Sequence, residues 1–199
     1  MKKPLVILLA LILALGLSSC GCSKAGDPDA SPGETAAAFL EAVKKTDTAS
    51  LAKVYSGDAS QLDQTASQLE QLNLPENFGE TLQAKLTDFN YKILEEKIDG
   101  DKALVEIEIQ CYDVGKATKE FLNETPKKLN ELIGTGAKED ELSKAMLKLF
   151  SDKIGGADER IESTAQLALS RVDGVWKVDD IKDNQNIINA FSGNMIEGL

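Results

Sequence analysis

Histidine is the one residue with ready acid-base and metal chemistry that this 199-residue sequence never uses. Without it neither a Ser-His-Asp nor a Cys-His nucleophile can be assembled, and no histidine-ligated zinc or iron site is possible. Catalysis would fall to serine, lysine, tyrosine and carboxylate groups, and no phosphate-binding or calcium-binding motif singles any of them out. Asp179, Asp180 and Asp183 lie close enough to suggest a hard cation, which takes carboxylate oxygens. On a strand, however, Asp179 faces away from Asp180, and Asp183 reads as a helix cap, so no metal site is assigned. Cys111 sits in an apolar alternation with no basic neighbour to activate it, and reads as a small buried hydrophobe. Three polar residues are expected on the inner side of a sheet: Tyr91 with its hydroxyl at the rim, Glu95 near Val105, and Arg171 across from Trp176. No catalytic residue and no cofactor is assigned.

These residues are positioned by a chain that starts helical. Ser31 caps a helix, Pro32 fits its first position, and Glu34 completes a capping box. Ala36, Phe39, Leu40 and Val43 give it one apolar stripe, which carries it to about Lys45. Asp47 caps a short second helix with Leu51, Val54 and Tyr55 facing inward. Leu62, Leu69 and Leu72 mark a helix over 60–72, and Phe78, Leu82 and Leu86 another over 76–86.

The period then becomes two. Phe89, Tyr91 and Ile93 alternate, as do Ala103, Val105, Ile107, Ile109 and Cys111. A three-residue loop at Asp99-Gly100-Asp101 sets Ile93 opposite Ile107, Tyr91 opposite Ile109 and Phe89 opposite Cys111. A two-residue Asp99-Gly100 turn suits local propensity but puts Lys92 across from Ile107, so burial is expected to override it. Helical spacing returns over 116–133 and 138–150, with Pro126 expected to split the first piece and Thr125 to cap its second half. Asp173-Gly174 predicts a tight hairpin between 161–172 and 175–181. Pairing Val172 with Val175 brings Leu167, Leu169, Trp176 and Val178 onto one face. A last weak helix is expected over 184–196.

The N-terminus has a different design. Lys2 and Lys3 precede an apolar run over 5–17, the layout of a signal peptide and short of the roughly 20 residues that span a bilayer. Leu17-Ser18-Ser19-Cys20 follows, and it resembles the lipobox of bacterial lipoproteins at all four positions. That resemblance implies cleavage before Cys20 and lipid attachment to it; the alternative is an ordinary signal peptide cut nearby. Cys22 is the weaker attachment point, because Cys20 would then fill a lipobox position usually held by a smaller, unreactive residue. The expected organisation is a signal peptide over 1–19, a lipidated tether over 20–30 and one domain over 31–199. Without Lys2 and Lys3 the chain holds 20 basic and 33 acidic residues, about −13, which argues against nucleic acid. With Cys20 lipidated only Cys22 and Cys111 remain, so no disulfide scaffold is expected.

The opening helix over 35–45 with Asp47 and the short helix after it, the strand over 101–113, and the closing strand over 175–180 together resemble the nuclear-transport-factor-two-like or ketosteroid-isomerase-like superfamily, with its cystatin-like fold. It resembles in particular the Gram-positive lipoprotein branches of that superfamily, whose function is unknown. The resemblance implies an α+β fold in which N-terminal helices pack on a curved, cone-like antiparallel sheet, with a helical insertion between hairpins. It also implies a cavity, whose wall here would be Phe89, Tyr91, Ile107, Ile109, Leu169 and Trp176, as pocket or as core. The superfamily's catalytic sets do not carry over onto any residues of this chain. The reading is a lipid-anchored extracytoplasmic module that binds without catalysing. Its partner would be a small amphipathic ligand or an envelope protein, and a homodimer through the sheet is open. An envelope assembly or chaperone-like protein is the alternative, and an isomerase- or dehydratase-like enzyme a third.

Overall fold

The computed structural model describes residues 26–57 and 78–194. The signal-like segment, Cys20, Cys22 and the helix expected over 60–72 lie outside the described residues. Helix α1 (Pro32–Lys44) opens as its sequence dictates. The Glu34 N–H donates to Ser31 Oγ at 3.1 Å, and the Ser31 N–H to Glu34 Oε2 at 2.9 Å. Asp47 caps α2 (Thr48–Val54) through the Ser50 N–H at 3.0 Å. Helix α3 (Phe78–Thr87) buries Phe78, Leu82 and Leu86.

Four strands follow: β1 (Asn90–Asp99), β2 (Lys102–Tyr112), β3 (Arg160–Val172) and β4 (Val175–Val178). Tyr91 pairs with Ile109 and Ile93 with Ile107, as burial requires. The connection is nevertheless two residues, Gly100-Asp101, because Asp99 pairs with Lys102. A bulge reconciles the two demands. Pairing steps from Ile93–Ile107 to Glu95–Glu106, leaving Leu94 as the extra residue. Gly100 takes the positive φ (+59°) that the tight turn needs. The second hairpin forms in the expected register, Val172 with Val175 and Arg171 with Trp176. Its strand β4 ends at Val178, short of Ile181.

The strands run in the order β1-β2-β3-β4, an open antiparallel sheet with β1 and β4 as its two edges. This overturns the expected cone-like curved sheet. Strand β4 is four residues long, too short to carry the sheet round to β1, and Tyr55 covers its outer edge in a parallel bridge to Val178. One face of the sheet is apolar and covered by helices. Val105, Ile107, Ile109, Leu167, Leu169 and Val178 are fully buried there beneath Phe39, Leu40 and Val43 of α1. The other face, with Lys92, Glu106, Glu108, Gln166 and Lys177, is polar.

Between β2 and β3 the chain leaves the sheet as α4 (Val114–Gly134) and α5 (Glu139–Gly155). The two helices pack on each other, and α5 leans on α3. Phe150 joins the three, with its ring 5.6 Å from Phe78 and 5.0 Å from Phe121. The arm is rooted by Val114, Gly115, Ala117 and Thr118 at one end and Ile154 at the other, and no residue between Thr118 and Ile154 is buried. Pro126 does not split α4, contrary to expectation. It sits on the exposed side, where water can satisfy the Leu122 carbonyl left without a donor. Thr125, rather than capping a new helix, donates its hydroxyl to the Phe121 carbonyl at 2.8 Å.

The chain closes through Asn184 and α6 (Gln185–Phe191), which packs on β2 and β3. Asn184, not Asp183, is the buried residue before this helix: its side chain accepts from the Ala168 N–H at 2.7 Å and donates to the Asp179 carbonyl at 3.0 Å. Beyond α6 the backbone of Gly193 passes so close to that of Gly115 that the Gly115 N–H donates to its carbonyl at 2.7 Å.

Candidate functional site

The six residues proposed as pocket or core lie together on the inner face of the sheet. Ile107 and Ile109 come from β2, Leu169 from β3 and Trp176 from β4, while Phe89 precedes β1 and stacks on Phe191 of α6, with ring centroids 6.1 Å apart. Five of them are at most 2% exposed and belong to the main hydrophobic cluster. Tyr91 is half-buried, and its hydroxyl donates to Glu41 Oε1 at 3.2 Å. Burial, and then the Glu41 charge, push this phenol up to about 12. It stays protonated at neutral pH and acts as a donor.

The remaining polar residues are placed by the bulge and by the hairpin ends. Glu95 turns to the outer face, where Lys97 pairs with it at 3.0 Å. Glu96 instead comes opposite Val105, on the helix side, where Ser31 Oγ donates to its carboxylate at 3.4 Å. There it faces the first turn of α1, whose partial positive charge favours an anion. The expectation that Glu95 lies inward is therefore corrected by one residue. Arg171 lies over the Trp176 ring, its guanidinium carbon 4.6 Å from the centroid. Asp179 takes a hydrogen bond from Ser170, and Asp180 one from the Lys182 N–H. Among the described residues no three His, Cys, Asp or Glu side chains are grouped to hold a metal ion. The Cys111 thiol is fully buried, points at the Ala190 carbonyl at 3.1 Å, and is pushed up to about 11 by burial.

A charged cleft forms where β2, α4, α5 and β3 meet. Asp113, Lys116, Glu120, Lys153, Asp158 and Glu159 line its about 180 Å³. A more open hollow of about 620 Å³ continues it past Lys119 and Asn123. Asp113 caps α4, its carboxylate accepting from the Lys116 N–H at 2.8 Å. Lys116 reaches Glu159 at 2.7 Å, and Lys153 reaches Glu124 at 2.6 Å. These hydrogen bonds hold both lysines above the ordinary lysine value, so both are cations and neither is a base. Beside the cleft, Lys85 and Arg160 lie over the Tyr112 ring, 4.0 and 4.3 Å from its centroid, and Arg160 also grips Asp88 at 2.5 Å. Hydrogen bonding to Arg160 holds the Asp88 carboxyl below its usual range. The sequence gives no signal for this cleft, because its charges come from segments some forty residues apart that meet only when the arm closes.

No protein-family model matches the chain, and no curated protein matches it. Among solved structures it is similar to a provisionally named lipoprotein, ycdA, of Bacillus subtilis subsp. subtilis strain 168. The identity is 17% and the TM-score 0.49; the match covers 79% of this chain and 55% of the other, so this chain spans about half of that protein's length.

Proposed function

We propose that this chain is a lipoprotein held at the outer side of a cell membrane by acylation of Cys20, and that it works by binding an envelope protein without bond-making chemistry of its own. The filled inner face of the sheet carries the binding half of the reading: with Phe89, Ile107, Ile109, Leu169 and Trp176 at most 2% exposed, recognition falls to the outer surface. The arm supplies that surface. Its Leu122 and Ile133 are 41% and 60% exposed, beside the charged cleft at its root. The anchor half rests on Leu17-Ser18-Ser19-Cys20 behind an apolar run.

Intact-mass measurement of the mature chain should show acyl mass on Cys20, and Cys20→Ser should move the protein out of the membrane fraction. A photo-crosslinking residue at Leu122 or Ile133 should give a discrete protein adduct in cells, and one at Gln166 on the polar sheet face should not. An unmodified mature chain would overturn the anchor. Adducts from Gln166 alone, or steady turnover of a small molecule, would overturn the binding role.

A further inference from the structure

We propose that the turn end of the sheet is the surface this protein lays on its bilayer, with Ile98, Leu104 and Val172 at the lipid interface. The inference rests on acylation of Cys20 and goes beyond it, since attachment at one residue does not by itself decide which way a domain faces.

The direction follows from where the folded chain begins. Gly26 already lies against Lys53, the Ala30 N–H donates to the Asp27 carbonyl at 3.1 Å, and Ala30 is buried. Residues 21–25 separate Cys20 from this described start of the body. At full extension that stretch spans about 20 Å. The body it enters is oriented. Helix α1 runs antiparallel to β1: Ser31 and Gly33 lie against Glu96, Glu41 against Tyr91, and Lys44 over Phe89. The start of α1 thus marks the end of the sheet that carries its turns. Those turns adjoin, for the Arg171 N–H donates to the Asp101 carbonyl at 2.9 Å.

That end presents what a bilayer surface takes. Ile98 on the helix side and Leu104 and Val172 on the other face are 59%, 43% and 40% exposed, each within a few residues of a turn, so that they flank the end of the sheet. Lys97, Lys102 and Arg171 offset part of the carboxylate charge at this end, Lys97 on Glu95 at 3.0 Å and Lys102 on Asp179 at 3.8 Å, in a chain that without Lys2 and Lys3 carries about −13. The arm is the rival surface, with exposed Leu122 and Ile133 and nearly balanced charge. It springs from the far end of β2, about 33 Å away at 3.3 Å per residue, which is farther than the leash reaches. A short leash at the turn end thus favours that end facing the bilayer, with the base of the arm away from it.

The test uses the full lipidated chain in vesicles of phosphatidylglycerol and phosphatidylcholine, with Cys22→Ser and a bimane label on Ile98→Cys, Val172→Cys or Ile133→Cys. The labelled chains are first floated with the vesicles and checked for unchanged thermal melting, and Leu104→Cys replaces any variant whose melting shifts. Nitroxide-bearing acyl chains should quench the label at 98 and 172 at least twofold and leave 133 unquenched. Equal or greater quenching at 133, or none at 98 and 172 in protein that floats, would overturn the orientation while leaving the anchor intact. Failure of the wild-type chain to float would remove the anchor and the proposal with it.

Discussion

Replacing Trp176 by alanine tests how the last hairpin closes the core. The side chain is 2% exposed, belongs to the main hydrophobic cluster, and has Arg171 over its ring. Burial of a large aromatic removes about 150–250 Å² from water, which at about 25 cal/mol per Å² comes to about 4–6 kcal/mol. The denatured chain already hides part of that area, which lowers the figure to about 3–5 kcal/mol, the range found for large-to-small core changes. Loss of the Arg171 stack adds about 0.5–1 kcal/mol, which Arg171→Ala should show by itself. Lys177 is one residue away on the polar face, paired with Ser170, and Lys177→Ala should cost under about 0.5 kcal/mol. Urea melts of the three variants, fitted with a common slope, give the comparison. Equal losses at 176 and 177, or a loss under about 1 kcal/mol at 176, would refute the register and the core built on it.

Gly193→Ala should lower stability by more than about 1 kcal/mol in a thermal melt, because its φ is +60° and a methyl group there would strike the Tyr112 carbonyl. Cys111 should make the protein less stable in alkali. Burial pushes the folded thiol up to about 11, while the unfolded one loses its proton from about 8.5 upward, so the unfolded state binds fewer protons and stability falls between those values by up to about 1.4 kcal/mol per pH unit. Urea melts from pH 8 to 10.5 should show this slope, and Cys111→Ala should flatten it. Pro126→Ala should strengthen α4 by up to about 3 kcal/mol, seen as slower amide exchange within the arm, since it restores a hydrogen bond to the Leu122 carbonyl.

What could be read from sequence was local. Ser31 with Glu34, and Asp47 with Ser50, announce helix starts because the side chain and the N–H it satisfies are three residues apart. The Asp173-Gly174 register follows from one turn, and the alternation from Ala103 to Cys111 names the buried face of β2 without reference to anything distant. The Leu94 bulge was not legible, since it settles a conflict between a tight turn at one end of β1 and burial at the other, and either solution alone fits the residues. Pro126 misled because the cost of proline depends on whether the freed carbonyl meets water, which only the packed arm decides. The cone was inferred from likeness rather than from residues, and it failed on the length of β4. The charged cleft depends wholly on tertiary closure.

Strands β2 and β3 are neighbours in the sheet although the whole arm separates them in sequence. Tyr112 pairs with Arg160, and the Asp113 N–H donates to the Glu159 carbonyl at 2.9 Å, so the chain departs and returns through a single doorway. The arm is thus a cassette. Its outer turns can grow, shrink or be exchanged without moving any strand by one position, provided Val114, Ala117, Thr118 and Ile154 remain to seat its base and Phe150 remains against Phe78. A scaffold of this kind separates the residues that keep the sheet folded from those that shape the outer surface of the arm. Variants grafted at the doorway would inherit the same sheet and differ only in the surface the arm presents.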